Sequence, residues 1–310
     1  MNVNPQRSVA VRMICFFALF LLAISNGYAQ QLRWKFAEGD RFEVSFEQTL
    51  TQSTEVNDKP FSSSVKFDMQ MLWKVIEVKA DGNAVMEQSF INLKVDGKTS
   101  SGDTFSFDSQ SQEDLDAKAK KVAKSLNAIL ASKFQVEMSP RGELVSVETD
   151  ETTMKKLRSA PDSMQIRRLF TKDGISKTLS QATVLLPENE IAEGESWTAV
   201  DVIESPLGTS TYSRSYTLAG TEDVDGKPLL KIELKGSVSF EQAVEDEARK
   251  PQKVTDNQQT GTLFFDPESG NFVTIELQQA IATETPYREM VIKAATESQL
   301  KTKISRLARE

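Results

Sequence analysis

The 310-residue chain contains no histidine and one cysteine, and its 45 acidic residues outnumber its 37 basic residues. These counts exclude catalytic arrangements and zinc sites that depend on histidine, and they exclude a disulfide within the chain. The net charge of −8 argues against nucleic-acid or anionic-membrane partners, because both draw affinity from clustered lysine and arginine.

The first 29 residues have the pattern of a signal peptide. Arg7 and Arg12 precede an apolar run at 13–24 that is too short to span a bilayer, and small residues occupy the positions before a cleavage site. We predict cleavage between Ala29 and Gln30, so that the mature chain is exported to the periplasm or the extracellular space. An uncleaved N-terminal anchor is the alternative.

The single cysteine, Cys15, lies inside this predicted signal peptide and is followed by apolar residues, so it is not a lipoprotein acylation site. No later segment approaches the roughly 18 consecutive apolar residues of a transmembrane helix. We therefore expect a mature chain without a lipid anchor, a transmembrane segment or a disulfide.

Strict alternation of apolar and polar residues predicts strands after the signal peptide. The longest case covers 65–75, where the odd positions are Val65, Phe67, Met69, Met71, Trp73 and Val75. Shorter alternations occur at 42–46, 134–138, 230–234 and 238–240. The dipeptides Asp81-Gly82, Asp96-Gly97 and Asp225-Gly226 predict tight hairpin turns, and hairpins imply antiparallel pairing.

Two segments have helical patterns instead. Ser111 is a suitable N-cap for a long helix at about 112–131, which has an acidic first turn, apolar residues at helical spacing and lysines in its later turns. The segment at about 152–182 contains helical patches interrupted by Pro161 and Gly174, which predicts two or three short helices.

A weak internal repeat relates the two parts of the mature chain. The segment 36–42 resembles 191–197, and the strand–turn–strand unit 134–148 resembles 263–277. We interpret this as two related β halves, 30–186 and 187–310, although chance similarity between hairpins explains it as well. The predicted fold is mainly β (α+β): a long antiparallel meander or half-barrel with one long helix and short helices. A tandem pair of β-domains is the alternative.

Three groups of residues carry a family resemblance. They are the opening 32–40, the turn Met138-Ser139-Pro140-Arg141-Gly142-Glu143, and 185–188 with 193–197. In these residues the chain resembles an uncharacterised family of secreted bacterial β-rich proteins, a domain of unknown function. The resemblance covers most of the mature chain and implies export and an intact β fold. Its motifs are turns and strand starts, so it implies no catalytic residues.

The remaining candidate chemistries have simpler interpretations. Glu188, Glu190, Glu193 and Glu195 lie in a polar stretch typical of a hydrated loop, whereas a glycosidase needs one acid in an apolar pocket. The segment 223–226 begins like a calcium loop but lacks its later oxygen ligands, so a hairpin turn explains it better. We predict no catalytic residue, no metal site and no cofactor.

The apolar face of 65–75 gives the one positive indication of function. Phe67, Met69, Met71 and Trp73 combine aromatic rings with flexible thioethers, a lining that can adapt to apolar ligands. A half-barrel closed by helices would place them over a cavity, as in the periplasmic lipoprotein-carrier and lipid-carrier folds, an analogy of fold alone. An ordinary core face packed against a helix is the alternative.

The sequence therefore predicts an exported, soluble, non-catalytic protein that binds a hydrophobic small molecule. One alternative is an envelope structural or interaction module with an unknown protein partner. The other is a carboxylate-dependent glycan hydrolase, which would need two facing acids in a cleft.

Overall fold

The structure is a computed structural model that describes residues 29–111, 131–149, 184–205, 208–242, 253–287 and 290–309, with a few single positions between 120 and 155. Every element defined in these residues is a β-strand. The strands are β1 (Arg41–Val56), β2 (Lys59–Val78), β3 (Ala84–Lys98), β4 (Thr104–Asp108), β5 (Lys133–Met138), β6 (Leu144–Thr149), β7 (Ser196–Ser205), β8 (Gly208–Val224), β9 (Lys227–Gln242), β10 (Lys253–Asp266), β11 (Asn271–Tyr287) and β12 (Met290–Leu307). The prediction of a mainly β fold is confirmed.

All twelve strands belong to one antiparallel sheet that is not closed. Its order is β6-β5-β3-β2-β1-β12-β11-β10-β9-β8-β7, and β4 pairs with β3 outside this path. The first and last strands, β1 and β12, pair along sixteen residues at the centre. Two arms extend from this pair: β2 to β6 form the first arm, and β7 to β11 form the second.

The N-terminal segment 29–40 brings the two arms together at one end. The Trp34 amide donates to the Pro140 carbonyl in the β5–β6 turn at 2.7 Å, and the next amide, from Lys35, donates to the Gly270 carbonyl in the β10–β11 turn at 2.9 Å. The turns of the two arms therefore lie one residue apart along this segment. The arms share one hydrophobic core on the face of the sheet that we call the inner face.

The core occupies only the end of the inner face next to the N-terminal segment. Phe42 and Val44 on β1 are fully buried, and Ile232 and Leu263 on the second arm pack in the same cluster. Farther along the central strands, the apolar inner-face positions are only half-buried. These are Phe46, Leu50, Met69, Leu277 and Leu300, which we call the inner strip. Gln48 and Ser298 lie between them on the same face, and the Gln48 amide donates to the Ser298 hydroxyl at 3.1 Å.

The predicted long helix at 112–131 lies mostly outside the described residues and stays a prediction, as do the short helices at 152–182. Three described positions of the long segment, Ala123, Leu126 and Leu130, pack against a second apolar cluster on β3 and β4. Their spacing of three and four residues is the spacing of side chains on one face of a helix. No helix in the described part of the chain is long and apolar enough to cross a membrane.

Two of the three predicted hairpin turns are confirmed. Asp225-Gly226 joins β8 to β9 as a two-residue turn with both residues at positive φ, and Asp81-Gly82 lies in the turn between β2 and β3, where the connection is the longer 79–83. The prediction at Asp96-Gly97 is wrong, because this dipeptide lies inside β3 and the chain turns after it. A Cβ on Gly97 would lie 2.2 Å from the ring of Phe105, so this glycine makes room for an aromatic ring on β4.

The two segments of the internal repeat adopt the same local structure. Before β1, the Ala37 amide donates to the Asp40 carboxylate at 2.8 Å and the Asp40 amide donates to the Ala37 carbonyl at 3.0 Å. Before β7, Ala192 and Glu195 make the same pair of bonds at 2.8 and 3.1 Å. This similarity is local, and the duplication of the two halves stays an interpretation of the sequence.

Candidate ligand-binding cavity

A cavity of about 60 Å³ lies at the boundary between the core and the inner strip. Its walls come from both arms, from the central strands and from the N-terminal segment. Trp34, Phe46, Met71, Trp73, Gln88 and Ile275 are among the residues that line it. All described residues of this lining are uncharged.

The sheet register explains why these side chains meet. In antiparallel pairs, directly opposed residues point to the same face. Trp73 on β2 lies opposite Phe42 on β1 and opposite Gln88 on β3, which places all three on the inner face. Met71, two residues before Trp73, continues the same face.

Trp34 forms the floor of the cavity. It stacks on Phe36 with ring centroids 5.5 Å apart, and it meets the edge of Phe272 at 5.8 Å. Its position is fixed by the backbone bond to Pro140 and by the close approach of Gly142, where a Cβ would lie 3.3 Å from the Trp34 Nε1 atom. The N-terminal segment therefore closes the space between the arms.

Two polar atoms are buried in this apolar lining. The Nε1 atom of Trp73 and the Oε1 atom of Gln88 have no hydrogen-bond partner among the described residues. Gln88 is only 3% exposed, and its Nε2 atom donates to the Met86 sulfur at 3.7 Å. An unpaired donor and an unpaired acceptor therefore belong to two lining residues on neighbouring strands.

The structure divides the four residues of the predicted ligand lining into two pairs. Met71 and Trp73 line the cavity. Phe67 packs against the second apolar cluster, beside the segment that contains Ala123, and Met69 contacts both clusters. The sequence left two alternatives for this face, a cavity lining and an ordinary packed core. Both occur on β2, because one pair of residues lines the cavity and the other pair packs against the second cluster. Ligand binding by these residues stays a prediction.

Sequence reasoning missed Gln88 and Trp34 as lining residues. Gln88 follows Ala84 and Met86 at alternate positions of β3, so a polar side chain at an inward position was a visible signal. Trp34 gave no such signal, because the segment 29–40 has no strand pattern and its position depends on contacts with both arms.

A second polar group lies on the inner face of the second arm. The Arg214 guanidinium, 6% exposed, donates to the Asp201 carboxylate at 2.9 Å and to Gln259 Oε1 at 3.4 Å. Burial raises the pKa of the neighbouring Tyr216 phenol. The ion pair neutralises a buried charge, which makes it a structural feature of the arm.

The candidate carboxylates lie where the hydrated-loop interpretation places them. Glu188, Glu190, Glu193 and Glu195 are all exposed. The Asp223 carboxylate accepts the Gly226 amide at 2.9 Å, as in a tight turn. Among the described residues, no three acidic or other ligating side chains form a group that could hold a metal ion.

Residues 81–272 match the sequence profile of DUF6263, a family of unknown function. The chain belongs to this family. The resemblance to an uncharacterised family that we found in the turns and strand starts is therefore confirmed.

No curated protein matches this DUF6263 chain. Among solved structures, one described as "Lipid-protein interactions in lipovitellin" aligns with 87% of this chain at 8% identity and a TM-score of 0.49, and the chain spans about a quarter of it. A DUF1329 family protein from Desulfovibrio piger aligns over 82% of this chain and 83% of its own, at 9% identity and a TM-score of 0.15.

Proposed function

We propose that this DUF6263 protein is an exported, non-catalytic binding protein whose sheet forms a half-barrel around a hydrophobic ligand. The observation that carries the proposal is the uncharged cavity between the two arms, together with the half-buried inner strip that continues from it. Export rests on the signal-peptide pattern of residues 1–29, and detection of the mature chain in a periplasmic or culture-medium fraction is its test.

The burial pattern along β1 supports this proposal. Phe42 and Val44 are fully buried, whereas Phe46 and Leu50, on the same face, are only half-buried. Burial of apolar area contributes about 25 cal/mol per Å², so a ligand that covered Phe46 and Leu50 would gain free energy that folding leaves unused. The inner strip is therefore apolar surface available to a ligand.

The size of the cavity sets how a ligand would bind. A volume of about 60 Å³ accommodates about two water-sized groups, far below the several hundred Å³ that enclose a whole small-molecule ligand. One end of the ligand would occupy the cavity, and the rest would lie along the inner strip past Phe46 and Met69. The thioether of Met69 can adapt to chains of different shape.

The test has two parts. The purified chain is extracted with organic solvent and the extract is analysed by mass spectrometry, and the extracted chain is titrated with the apolar fluorophore N-phenyl-1-naphthylamine. We expect a co-purifying lipid-like compound and saturable fluorophore binding.

A pair of variants locates the site. Leu144 lines the cavity, and the next residue on β6, Val145, is 52% exposed. We expect Leu144→Trp to weaken fluorophore binding at least tenfold, because the added ring fills the cavity, and Val145→Trp to leave it unchanged. A chain with no extractable compound and no fluorophore binding would contradict the proposal and favour the interaction module.

A further inference from the structure

The unpaired polar atoms of the cavity indicate which head group a ligand would carry. Trp73 and Gln88 are directly opposed on β2 and β3. The indole N–H of Trp73 can only donate, and Gln88 Oε1 can only accept. Burial of both atoms without partners is unfavourable, and neighbouring atoms cover both of them in this structure. A ligand group that displaces this cover from the cavity side, accepting from one atom and donating to the other, gains both hydrogen bonds inside an apolar site.

A hydroxyl group is both an acceptor and a donor, since its oxygen accepts one hydrogen bond while its proton is donated to another group. Its small size also suits a cavity of about 60 Å³. An ether or ester oxygen can satisfy only Trp73, because it has no proton to donate to Gln88.

The absence of charge in the described lining restricts the head group further. Gln88, Thr302 and Trp73 supply polarity there, and no described lining residue could compensate a carboxylate, phosphate or ammonium group. Transfer of an ionised group from water into such a site is strongly unfavourable. The inner strip beyond Phe46 offers apolar contact for one extended chain.

We infer that the cavity binds the neutral hydroxyl head group of a single-chain amphiphile, which accepts from Trp73 Nε1 and donates to Gln88 Oε1. This inference rests on the proposed function. The ligand class is that of long-chain alcohols and other amphiphiles with an uncharged hydroxyl end, and it excludes ionised fatty acids.

The test compares three ligands of equal chain length as competitors of the fluorophore at pH 8: 1-decanol, decyl methyl ether and sodium decanoate. We expect decanol to compete at least tenfold more strongly than decanoate. Trp73→Phe should weaken both decanol and the ether about fivefold, the effect of one hydrogen bond. Gln88→Met should weaken decanol by a similar factor and leave the ether unchanged.

Two variants serve as matched controls. Trp197→Phe removes an indole that already donates to the Leu185 carbonyl at 2.8 Å, outside the cavity. Gln135→Met changes an exposed glutamine on the outer face of β5, outside the cavity and the inner strip. Neither should change the affinity for decanol. Should Trp73→Phe fail to fold, Gln88→Met tests the same inference through the difference between decanol and ether.

A spectroscopic measurement identifies the bond directly. The chain has three tryptophans, so three indole N–H resonances are expected in a nitrogen–proton correlation spectrum. Decanol should shift the Trp73 resonance downfield and leave that of Trp197 in place.

The outcomes separate the two proposals. If the unmodified chain binds no fluorophore and none of the three competitors, the proposed function and this inference both fail. If it binds decanol and decanoate equally, and the Trp73 and Gln88 variants behave like their controls, the inference is overturned while the binding function stands.

Discussion

At the scale of single residues, Asp266 shows how the turns of the second arm are held. Its buried carboxylate accepts from Lys227 Nζ at 2.6 Å and from the amides of Glu268 and Ser269 at 3.0 and 3.3 Å, and the Ser269 hydroxyl also donates to it. Burial by itself would raise the pKa of Asp266, but these hydrogen bonds outweigh it and lower the pKa to about 2.

A pH-dependent stability follows from this carboxylate. Because its pKa is lower in the folded chain than the ordinary 3.8, its contribution is complete above about pH 5 and is lost as the pH falls toward 2. Asp266→Asn should lower the free energy of unfolding by about 1–2 kcal/mol at pH 7, and less at pH 2–3, in urea titrations. The exposed turn residue Asp225, changed to asparagine, is the control. An equal loss at pH 7 and pH 2 would contradict the assignment.

Gly142 in the β5–β6 turn provides a second residue-scale prediction. It has a φ of +86°, and a Cβ would lie 2.6 Å from the Val184 carbonyl. Gly142→Ala should therefore lower the free energy of unfolding by about 2–3 kcal/mol, the sum of a left-handed backbone cost and a steric clash. Gly226 has a φ of +80° with nothing near its Cβ position.

Gly226→Ala is the matched control for this glycine and should cost about 1–2 kcal/mol, the backbone part alone. Thermal or urea unfolding of both variants measures the difference. Equal losses would mean that the close packing of Val184 against the turn contributes nothing.

At the scale of elements, Ala123, Leu126 and Leu130 pack on the far part of the first arm. Ala123 is buried against the cluster that contains Leu93, Val95 and Phe107. Ala123, Leu126, Leu130 and β4 therefore pack against the strand region that carries Phe67. Near the cavity, the inner face is covered by the N-terminal segment instead.

Ala123→Asp should release the segment around this residue from the sheet, because a carboxylate placed among apolar side chains loses its hydration without gaining a partner. We expect a loss of about 2–4 kcal/mol in the free energy of unfolding and faster tryptic cleavage at the lysines of 118–124. Asn127→Asp introduces the same side chain at an exposed position of the segment and should change neither. Unchanged cleavage in the Ala123 variant would show that the segment does not depend on this contact.

At the scale of the whole molecule, the β1–β12 pair makes one sheet from two arms. Because the arms share a core and are tied to the same N-terminal segment, we expect them to unfold together. Variants that retain only Trp73 or only Trp197 report on the first and second arm respectively. Their urea transitions, followed by fluorescence, should coincide in midpoint. Two separated transitions would support the tandem pair of β-domains instead.

The local part of the fold was predictable because it depends on neighbours in the chain. The alternation at 65–75 identified β2, and the turns at Asp81-Gly82 and Asp225-Gly226 followed from the backbone conformations that these residues tolerate. Asp96-Gly97 has the same composition and was predicted wrongly. Its glycine is required because the ring of Phe105 occupies the space where a Cβ would lie. This contact joins two strands, and turn propensity describes only neighbours in the chain.

The candidate site was predictable only in part. The sequence by itself determined that Met71 and Trp73 share one face of a strand and that no histidine or cysteine chemistry is available outside the predicted signal peptide. The tertiary structure decided that Trp34 closes the cavity and that Gln88 lies opposite Trp73. The physical reason is distance along the chain: strand periodicity is set by adjacent residues, whereas the cavity is created by pairing the first strand with the last and by one segment that bonds to turns of both arms.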